Sequence, residues 1–423
     1  MKVTRLNLQN FRPFRELELH LHPRLNVLVG VNGVGKSAIL DAIAILLVRL
    51  QDVDTARFAS KDYISEDDIY LGQHNSLVEI DVSRSSNTYS WNISCDIQAR
   101  RGISYNLKGV GSLIAEIKRS LEENRGASIP IAVLYSTNRP VSTVSLEPKP
   151  GPFDQVAAFV RSLTVKSSLP VYNLFFEWFR SREDVENENR RYLQDAFKPD
   201  DWEFPDRQLE AVRSAVKFLT GFSDLQVRRK PRLRMVVNKS GREFRIEQLS
   251  DGEKCLLAMV GDLARRLAMA NPSLQNPLEG EGVVLIDEIE LHLHPKWQRE
   301  IIPGLLRTFP NCQFIVSTHS PQVLGEVDAE CIHVLTVDEE TGDITCTQPP
   351  RSKGLESGEV LTEIMDARSR NKDVEEALTT IFDLIDDAQF LEAENKIQAL
   401  EKDVGEIPEL IKAKTMMALL AVE

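Results

Sequence analysis

The chain has 423 residues, of which 42% are hydrophobic and 27% are charged, and this composition excludes a disordered or fibrous protein. A formal net charge of −13 argues against a protein that coats nucleic acid non-specifically, because such coating requires Lys and Arg to neutralise phosphates. The longest apolar run, residues 42–48, is far shorter than the roughly 18 residues of a membrane span, and the first residues do not resemble a signal peptide. Five cysteines without a close pair are typical of reduced thiols. We therefore expect a cytoplasmic protein without a membrane-spanning segment.

The first predicted elements are strands within residues 2–29, where apolar side chains alternate and a short buried run follows at 25–29. A glycine-rich turn comes next. Residues 37–50 then place apolar side chains on nearly every face of a helix, which indicates a buried helix behind the turn.

Residues 52 to about 240 are less regular and are predicted to form a helical insertion with a few strands. The strands are expected at 77–82 and 130–135, and the helices at 111–124, 155–162, 171–197 and 207–220. Compact α/β patterning returns after residue 245, with a helix at 251–269, a strand at 283–286, a helix at 296–307 and a strand at 313–317. Beyond residue 350 the pattern becomes helical and acidic, which indicates an appended docking element.

The glycine-rich turn, residues 30–37, reads GVNGVGKS and matches the phosphate-loop pattern G-x-x-x-x-G-K-[ST] between a strand and a helix. Backbone N–H groups of such a loop wrap phosphates at a helix N-terminus, where the helix dipole favours anions. Lys36 is expected to reach the β- and γ-phosphates, and Ser37 to ligate Mg²⁺. The predicted ATP contacts in this loop are Gly30, Asn32, Gly33, Gly35, Lys36, Ser37 and Ala38.

Two further segments carry chemistry at the ends of apolar strands. Residues 283–288, VVLIDE, end in adjacent acids, of which Asp287 is expected to hold Mg²⁺ and Glu288 to orient the attacking water. His319 follows the strand FIVS, where an imidazole can sense the γ-phosphate. Taken singly, these residues are also compatible with a solvated strand end and a structural histidine. Together with the phosphate loop they favour catalytic roles for Lys36, Glu288 and His319.

Residues 249–254, LSDGEK, precede the helix predicted at 251–269. Ser250 and Glu253 fit a capping box. A serine hydroxyl, the amide of Gly252 and a helix N-terminus also form a ready anion site.

The order of these motifs resembles the ABC-type ATPases, whose LSGGQ-like signature precedes the second acidic motif. The resemblance implies an α/β ABC-ATPase head, a P-loop NTPase with a mixed sheet, here with a helical insertion and a C-terminal helical extension. It also implies that Ser250, Gly252 and Glu253 serve the γ-phosphate of an opposite subunit, so that ATP joins two heads and hydrolysis releases them. We divide the chain into four parts: 1–60 with the phosphate loop, 61–240 with the rest of the first lobe and the insertion, 241–350 with the remaining ATPase motifs, and 351–423 as the helical docking element.

One segment resembles the RecF, SMC and OLD-like branch of this class, and a second segment resembles its OLD-type and RecF-like members. The opening NFRPF at residues 10–14 implies that Arg12 lies close to the nucleotide, with a simple β-hairpin as the alternative. In DEIELHLHPKW at 287–297, His294 stands where transporters and SMC heads carry aspartate, which implies a contact near ATP between subunits. A metal site at His292 and His294 is disfavoured, because alternate residues of an extended segment point opposite ways.

The motif set and the helical tail resemble the PtuA-like ATPases of Septu and type I retron anti-phage defence systems. This resemblance implies a homodimer or higher oligomer, a separate HNH-type nuclease as partner, and a nucleic acid or reverse transcriptase/msDNA complex as a further candidate partner. Two alternatives remain: a RecF-like DNA repair or loading ATPase, and a scaffold that binds ATP but turns it over slowly. The basic segment 228–234 leaves nucleic-acid contact open, although a half-buried strand with a solvated face explains it. Arg139 is a further candidate for the γ-phosphate side.

Overall fold

The computed structural model describes residues 1–53, 64–99, 102–124, 126–139, 173–194 and 202–420, together with Leu146, Gln155, Ala158, Ser162 and Leu163. Within these residues no helix is both long and apolar enough to cross a membrane. The described chain divides into two compact units, Met1–Leu355 and Glu356–Glu423.

The elements are bounded as follows. The strands are β1 (Lys2–Phe11), β2 (Phe14–His20), β3 (Leu25–Gly30), β4 (Asn75–Arg84), β5 (Asn87–Asp96), β6 (Ile103–Asn106), β7 (Ile131–Tyr135), β8 (Ser223–Arg228), β9 (Arg234–Lys239), β10 (Arg242–Arg245), β11 (Gly282–Ile286), β12 (Cys312–Ser317), β13 (Ile332–Val337) and β14 (Ile344–Thr347). The helices are α1 (Lys36–Leu47), α2 (Lys108–Glu123), α3 (Asn173–Asn189), α4 (Arg207–Thr220), α5 (Asp251–Ala270), α6 (Pro295–Thr308), α7 (Pro321–Leu324), α8 (Ser357–Glu363), α9 (Lys372–Asp386), α10 (Phe390–Val404) and α11 (Pro408–Leu420).

The central sheet has six strands in the order β14-β13-β3-β12-β11-β7. The five strands from β13 to β7 are parallel, and only β14 is antiparallel to its neighbour. Strands β3, β12, β11 and β7 are buried along almost their whole length, as expected for parallel strands covered on both faces. Because parallel strands end at the same edge, the residues that follow β3, β11 and β12 meet at one edge of this sheet.

A second sheet is antiparallel, with the order β2-β1-β4-β5-β6. It packs apolar side chains such as Leu6, Leu8, Val78 and Ile80 inward, while alternate positions are half-exposed. Trp91 from β5 donates from its indole N–H to the carbonyl of Leu46 at the end of α1, 3.0 Å away. The contact joins this sheet to the helix that begins at the phosphate loop.

Helix α5 crosses the interior of the first unit, and eighteen of its residues are buried. A fully buried ion triad lies at its centre, where Arg265 and Arg266 each approach Asp262 to 2.7 Å. Burial alone would raise the pKa of Asp262, but the two guanidinium groups lower it. Asp262 also accepts a hydrogen bond of 3.0 Å from the hydroxyl of Tyr135 at the end of β7. The triad therefore ties α5 to the central sheet.

The second unit contains helices α8 to α11. Helices α9, α10 and α11 pack around one apolar cluster, whose members are Leu378, Ile381, Ile385, Ala393, Ile397, Leu400, Leu410 and Ala413. These residues recur at helical spacing, as the sequence predicts.

The predicted mixed α/β fold with a C-terminal helical extension is confirmed, and the helices and strands around the motifs agree with their predicted bounds to within a few residues. The interval 64–240 differs, because its described part holds strands β5, β6 and β8 that were not predicted, and the unpredicted strand β10 follows directly after it. The basic segment 228–234 is not one strand: it joins β8 to β9 as the turn of a hairpin. The helix predicted at 155–162 lies largely outside the described residues.

Candidate functional site

The phosphate loop connects β3 to α1 at the edge of the central sheet. Gly35 is the N-cap of α1 and has φ +101°, a conformation that glycine adopts without strain. A Cβ at this position would also lie only 2.5 Å from the ring of Phe14. Glycine is therefore required at this turn for two independent reasons.

Lys36 lies inside the loop and is only 6% exposed. Its Nζ donates to the carbonyl oxygens of Gly30 at 2.8 Å and Val31 at 2.9 Å. Burial lowers the pKa of Lys36, and the nearby carboxylates of Asp287, Glu288 and Glu290 counteract that effect. Among the described residues, the hydrogen-bond partners of this ammonium are two backbone carbonyls, which a phosphate oxygen can replace.

Ser37 and Asp287 bring the loop and β11 together. The hydroxyl of Ser37 donates to Asp287 Oδ2 over 2.8 Å, and the hydroxyl of Ser317, at the end of β12, donates to Asp287 Oδ1 over 2.5 Å. Asp287 is 8% exposed, so its carboxylate is fixed by two hydroxyls in a nearly dry position. The sequence analysis did not single out Ser317, whose role follows from the pairing of β11 with β12.

Glu288 follows Asp287 with φ +47°, an unusual conformation for a residue with a side chain. Its backbone N–H donates to Ser317 Oγ over 2.7 Å. Arg139, 5% exposed, donates to the carbonyl oxygens of Asp287 at 2.8 Å and Glu288 at 2.5 Å. The guanidinium of Arg139 therefore clamps the backbone of the acidic turn, which differs from the predicted place on the γ-phosphate side.

His319 is held by Glu290, a residue to which the sequence analysis gave no role in the cleft. Glu290 Oε1 accepts from the backbone N–H of His319 at 2.5 Å, and Oε2 accepts from the hydroxyl of Thr318 at 2.8 Å. The backbone of the segment after β12 is thereby fixed, and the imidazole is left half-buried at the cleft.

These side chains surround one cleft of about 300 Å³. Its lining residues are Pro13, Asn32, Gly33, Gly35, Lys36, Ser37, Ala38, Asp287, Glu288 and His319. The structure therefore brings together six of the seven predicted phosphate-loop contacts, all but Gly30, and all three predicted catalytic residues. The donor set is also suited to Mg²⁺, because the oxygens of Ser37 and Asp287 are hard ligands that converge at one point.

Arg12 stands apart from the residues that line the cleft. Its guanidinium binds Asp41 of α1 at 2.6 Å and Asp68 at 2.9 Å. Burial alone would lower the pKa of Arg12, but these two carboxylates raise it. Its neighbour Pro13 lines the cleft instead. In this arrangement Arg12 braces the first turns of α1 against the antiparallel sheet.

The predicted signature residues also lie outside that lining. Ser250 is the N-cap of α5, and its hydroxyl donates to Glu253 Oε2 over 2.9 Å. Lys239, from the end of β9, forms an ion pair with the same carboxylate. A Cβ on Gly252 would lie 2.1 Å from the carbonyl oxygen of His292, so glycine allows the start of α5 to pack against the turn that follows the acidic pair.

His294 is the N-cap of α6, and its Nδ1 accepts from the backbone N–H of Lys296 at 3.3 Å. The side chain is exposed and does not line the cleft of its own chain. The segment before it was predicted to be extended, but it folds into successive turns, with His292 at φ +63°. The alternation of side-chain directions along an extended segment therefore does not apply to His292 and His294.

The basic hairpin turn is partly neutralised. Arg228 pairs with Glu243 at 2.8 Å, and Arg229 pairs with Glu183 at 3.2 Å. Both arginines thus have acidic partners within the protein, which weakens the case for nucleic-acid contact at this turn.

Several known proteins are similar in sequence to this chain. The family model described as "AAA domain, putative AbiEii toxin, Type IV TA system" matches residues 25–325. The "Retron Ec83 probable ATPase" of Escherichia coli is 32% identical over 391 residues, which cover 79% of this chain and 71% of that protein. The "Septu protein PtuA" of Bacillus mycoides strain KBAB4 is 38% identical over 119 residues, which cover 28% of this chain and 16% of that protein.

Among solved structures, the SMC head domain from Thermotoga maritima is 18% identical with a TM-score of 0.46, and the match covers 82% of this chain and 99% of that one. The predicted resemblance to retron and PtuA-like ATPases is confirmed by the sequence relatives. Because the family model spans well over half of the chain, this protein belongs to the AAA-domain family that carries the description above.

Proposed function

We propose that this protein is an ATPase head that binds ATP and Mg²⁺ in the cleft and closes on a second copy of itself. The observation that carries the proposal is the division of the predicted site. Lys36, Asp287 and Glu288 line the cleft, whereas Ser250 and Gly252 do not belong to its described lining. A second head supplies the missing anion-binding groups if its signature loop covers the cleft.

The roles within one head follow from the contacts. Lys36 exchanges its carbonyl partners for phosphate oxygens, since its ammonium already points across the loop. Ser37 and Asp287 would hold Mg²⁺, which when bound neutralises phosphate charge. Glu288 orients the attacking water and accepts its proton, and Arg139 keeps the Glu288 backbone in position. His319 donates toward the γ-phosphate.

We propose further that the nucleotide state of the paired heads controls an effector, a separate HNH-type nuclease, in anti-phage defence. The names of the relatives, a retron ATPase and a Septu protein, support this setting. Residues 356–423 suit a docking role, since they carry 17 acidic and 7 basic side chains and expose Leu391, Leu419 and Leu420. A nucleic acid or a reverse transcriptase/msDNA complex is the further candidate partner.

The pairing is tested by measuring the mass of the Glu288→Gln variant in solution. With ATP and Mg²⁺ this variant is expected to form dimers that persist, because the site closes but does not hydrolyse ATP. With ADP its mass is expected to be the same as without nucleotide. The matched control is Lys36→Ala combined with Glu288→Gln, which is expected not to respond to ATP. A mass that ATP does not change in the Glu288→Gln variant contradicts the proposal.

The effector role is tested by purifying the protein with its cellular partners and identifying protein and nucleic acid by mass spectrometry. A nuclease that co-purifies with the wild type, and whose activity changes in the Glu288→Gln variant, supports the proposal. Recovery of membrane permeases as the sole partners overturns it. Tight ATP-dependent DNA binding by the chain alone favours a RecF-like loader instead.

A further inference from the structure

The signature loop contains two acids where, under the proposed function, the γ-phosphate of another head must bind. Asp251 and Glu253 flank Gly252 at the start of α5. Carboxylates so close to a helix N-terminus repel a phosphate that the helix dipole attracts. The loop can accept a phosphate from another chain only if these two negative charges are compensated.

Each of the two acids forms an ion pair with a different lysine. Lys254, three residues along the helix, approaches Asp251 to 2.7 Å. Glu253 pairs with Lys239, which belongs to β9 and not to the helix. The two pairs differ in environment, because the Asp251 side chain is 82% exposed whereas that of Glu253 is 9% exposed. Water screens the charges of Asp251 and Lys254. The pair of Glu253 and Lys239 therefore has the larger effect on the electrostatic potential at a bound phosphate.

The contacts of Glu253 also explain why Lys239 is needed in addition to the capping box. Glu253 Oε2 accepts both the backbone N–H and the hydroxyl of Ser250, each at 2.9 Å. The hydroxyl of Ser250 is therefore turned to the carboxylate and must rotate away to donate to a phosphate. Lys239 binds Oε1, the other carboxylate oxygen, so it continues to compensate Glu253 when that hydroxyl leaves.

We propose that Lys239 is a charge-compensating residue of the signature half-site, which neutralises Glu253 so that the γ-phosphate of a second head can bind Ser250 and Gly252. The inference rests on the proposed pairing of heads. It gives the three-stranded sheet β8-β9-β10 a part in nucleotide recognition, because that sheet holds Lys239 in place.

The test uses the full chain in the Glu288→Gln background, with ATP and Mg²⁺, and measures the dimer dissociation constant by sedimentation. Lys239→Met is expected to weaken dimerisation by about tenfold or more, the effect of one uncompensated charge near a phosphate. Binding of a fluorescent ATP analogue to the monomer is expected to stay unchanged, because Lys239 does not line the cleft. Adding Glu253→Gln is expected to restore dimerisation, since glutamine keeps the capping box without the charge.

Two lysine variants serve as matched controls. Lys254→Met is expected to weaken dimerisation by about twofold at most, because water screens its partner. Lys414→Met removes an exposed ion pair with Glu401 in the second unit and is expected to have no effect.

If the Lys239→Met variant dimerises as tightly as the Glu288→Gln parent, the inference is overturned, but the proposed pairing of heads is not. If Lys239→Met weakens dimerisation, lowers the melting temperature and is not rescued by Glu253→Gln, the role of Lys239 is purely structural. That result also overturns the inference. A parent that fails to dimerise with ATP overturns the proposed function itself, so the two failures are distinguished.

Discussion

The cleft around Lys36 and the predicted signature loop around Ser250 hold similar chemical groups, but their side chains are held in different ways. In the cleft, Lys36 and Asp287 are nearly buried and are fixed by carbonyls and hydroxyls. In the signature loop, Ser250 is exposed and its hydroxyl is turned to Glu253. Under the proposed function, the cleft is preorganised for a phosphate, whereas the loop has to be rearranged by a ligand from a second head.

The largest effect is expected from Lys36→Ala, which removes the only cation among the described residues that line the cleft. Nucleotide affinity should fall by on the order of 100-fold, because the phosphates lose a charge-assisted contact. Binding of a fluorescent ATP analogue measures this directly. Retained affinity in the folded variant would show that the nucleotide binds elsewhere.

Glu288→Gln is expected to lower ATP turnover by about 100-fold or more while leaving ATP affinity within about threefold, because the carboxylate acts on water and not on the nucleotide. Steady-state phosphate release and equilibrium binding separate the two effects. Equal losses in both would assign Glu288 to binding.

The signature loop can be altered without disturbing its helix. Ser250→Asp and Ser250→Asn both preserve an N-cap for α5, but only the aspartate adds a negative charge. Ser250→Asp is expected to weaken ATP-dependent dimerisation by about tenfold relative to Ser250→Asn, with ATP affinity of the monomer unchanged in both. Equal dimerisation by the two variants would remove the loop from the proposed interface.

The last expected effect is on stability and not on binding or turnover, and it concerns the packing of the signature loop against the turn that follows the acidic pair. Gly252→Ala places a Cβ 2.1 Å from the His292 carbonyl, so the turn must shift. The free energy of unfolding is expected to fall by about 1–3 kcal/mol, as for overpacking elsewhere. Urea denaturation measures it, and an unchanged midpoint would show that the turn moves freely.

The sequence predicts well those elements whose apolar pattern stands next to a motif. Strands β3, β11 and β12 and helix α1 lie close to their expected bounds, because each is mainly apolar and buried. Strand β5 was missed because one of its faces is polar and half-exposed, and β6 was missed because it is short and none of its four residues is buried. Local pattern cannot identify such strands without their pairing partners.

Within the candidate site, residue types were easier to predict than contacts. Arg139 binds backbone carbonyls 148 and 149 positions away in the chain, and Glu290 holds a segment 29 positions away. Backbone carbonyl and N–H groups have no sequence signature, so neither the Arg139 contacts nor the Glu290 contact could be read from the residues. For Arg12 the motif was recognised and implied a place close to the nucleotide, but the guanidinium forms ion pairs with Asp41 and Asp68.

The central claim is that the cleft of one head is completed by the signature loop of another. Mixing Lys36→Ala protein with Ser250→Asp protein tests it most directly, because a mixed pair contains one site made of two unaltered halves. ATP turnover is expected to be low in either variant alone, to rise on mixing and to depend on the concentration of both. Turnover that stays absent on mixing while the wild type dimerises, or full activity of the Ser250→Asp protein alone, would contradict the claim.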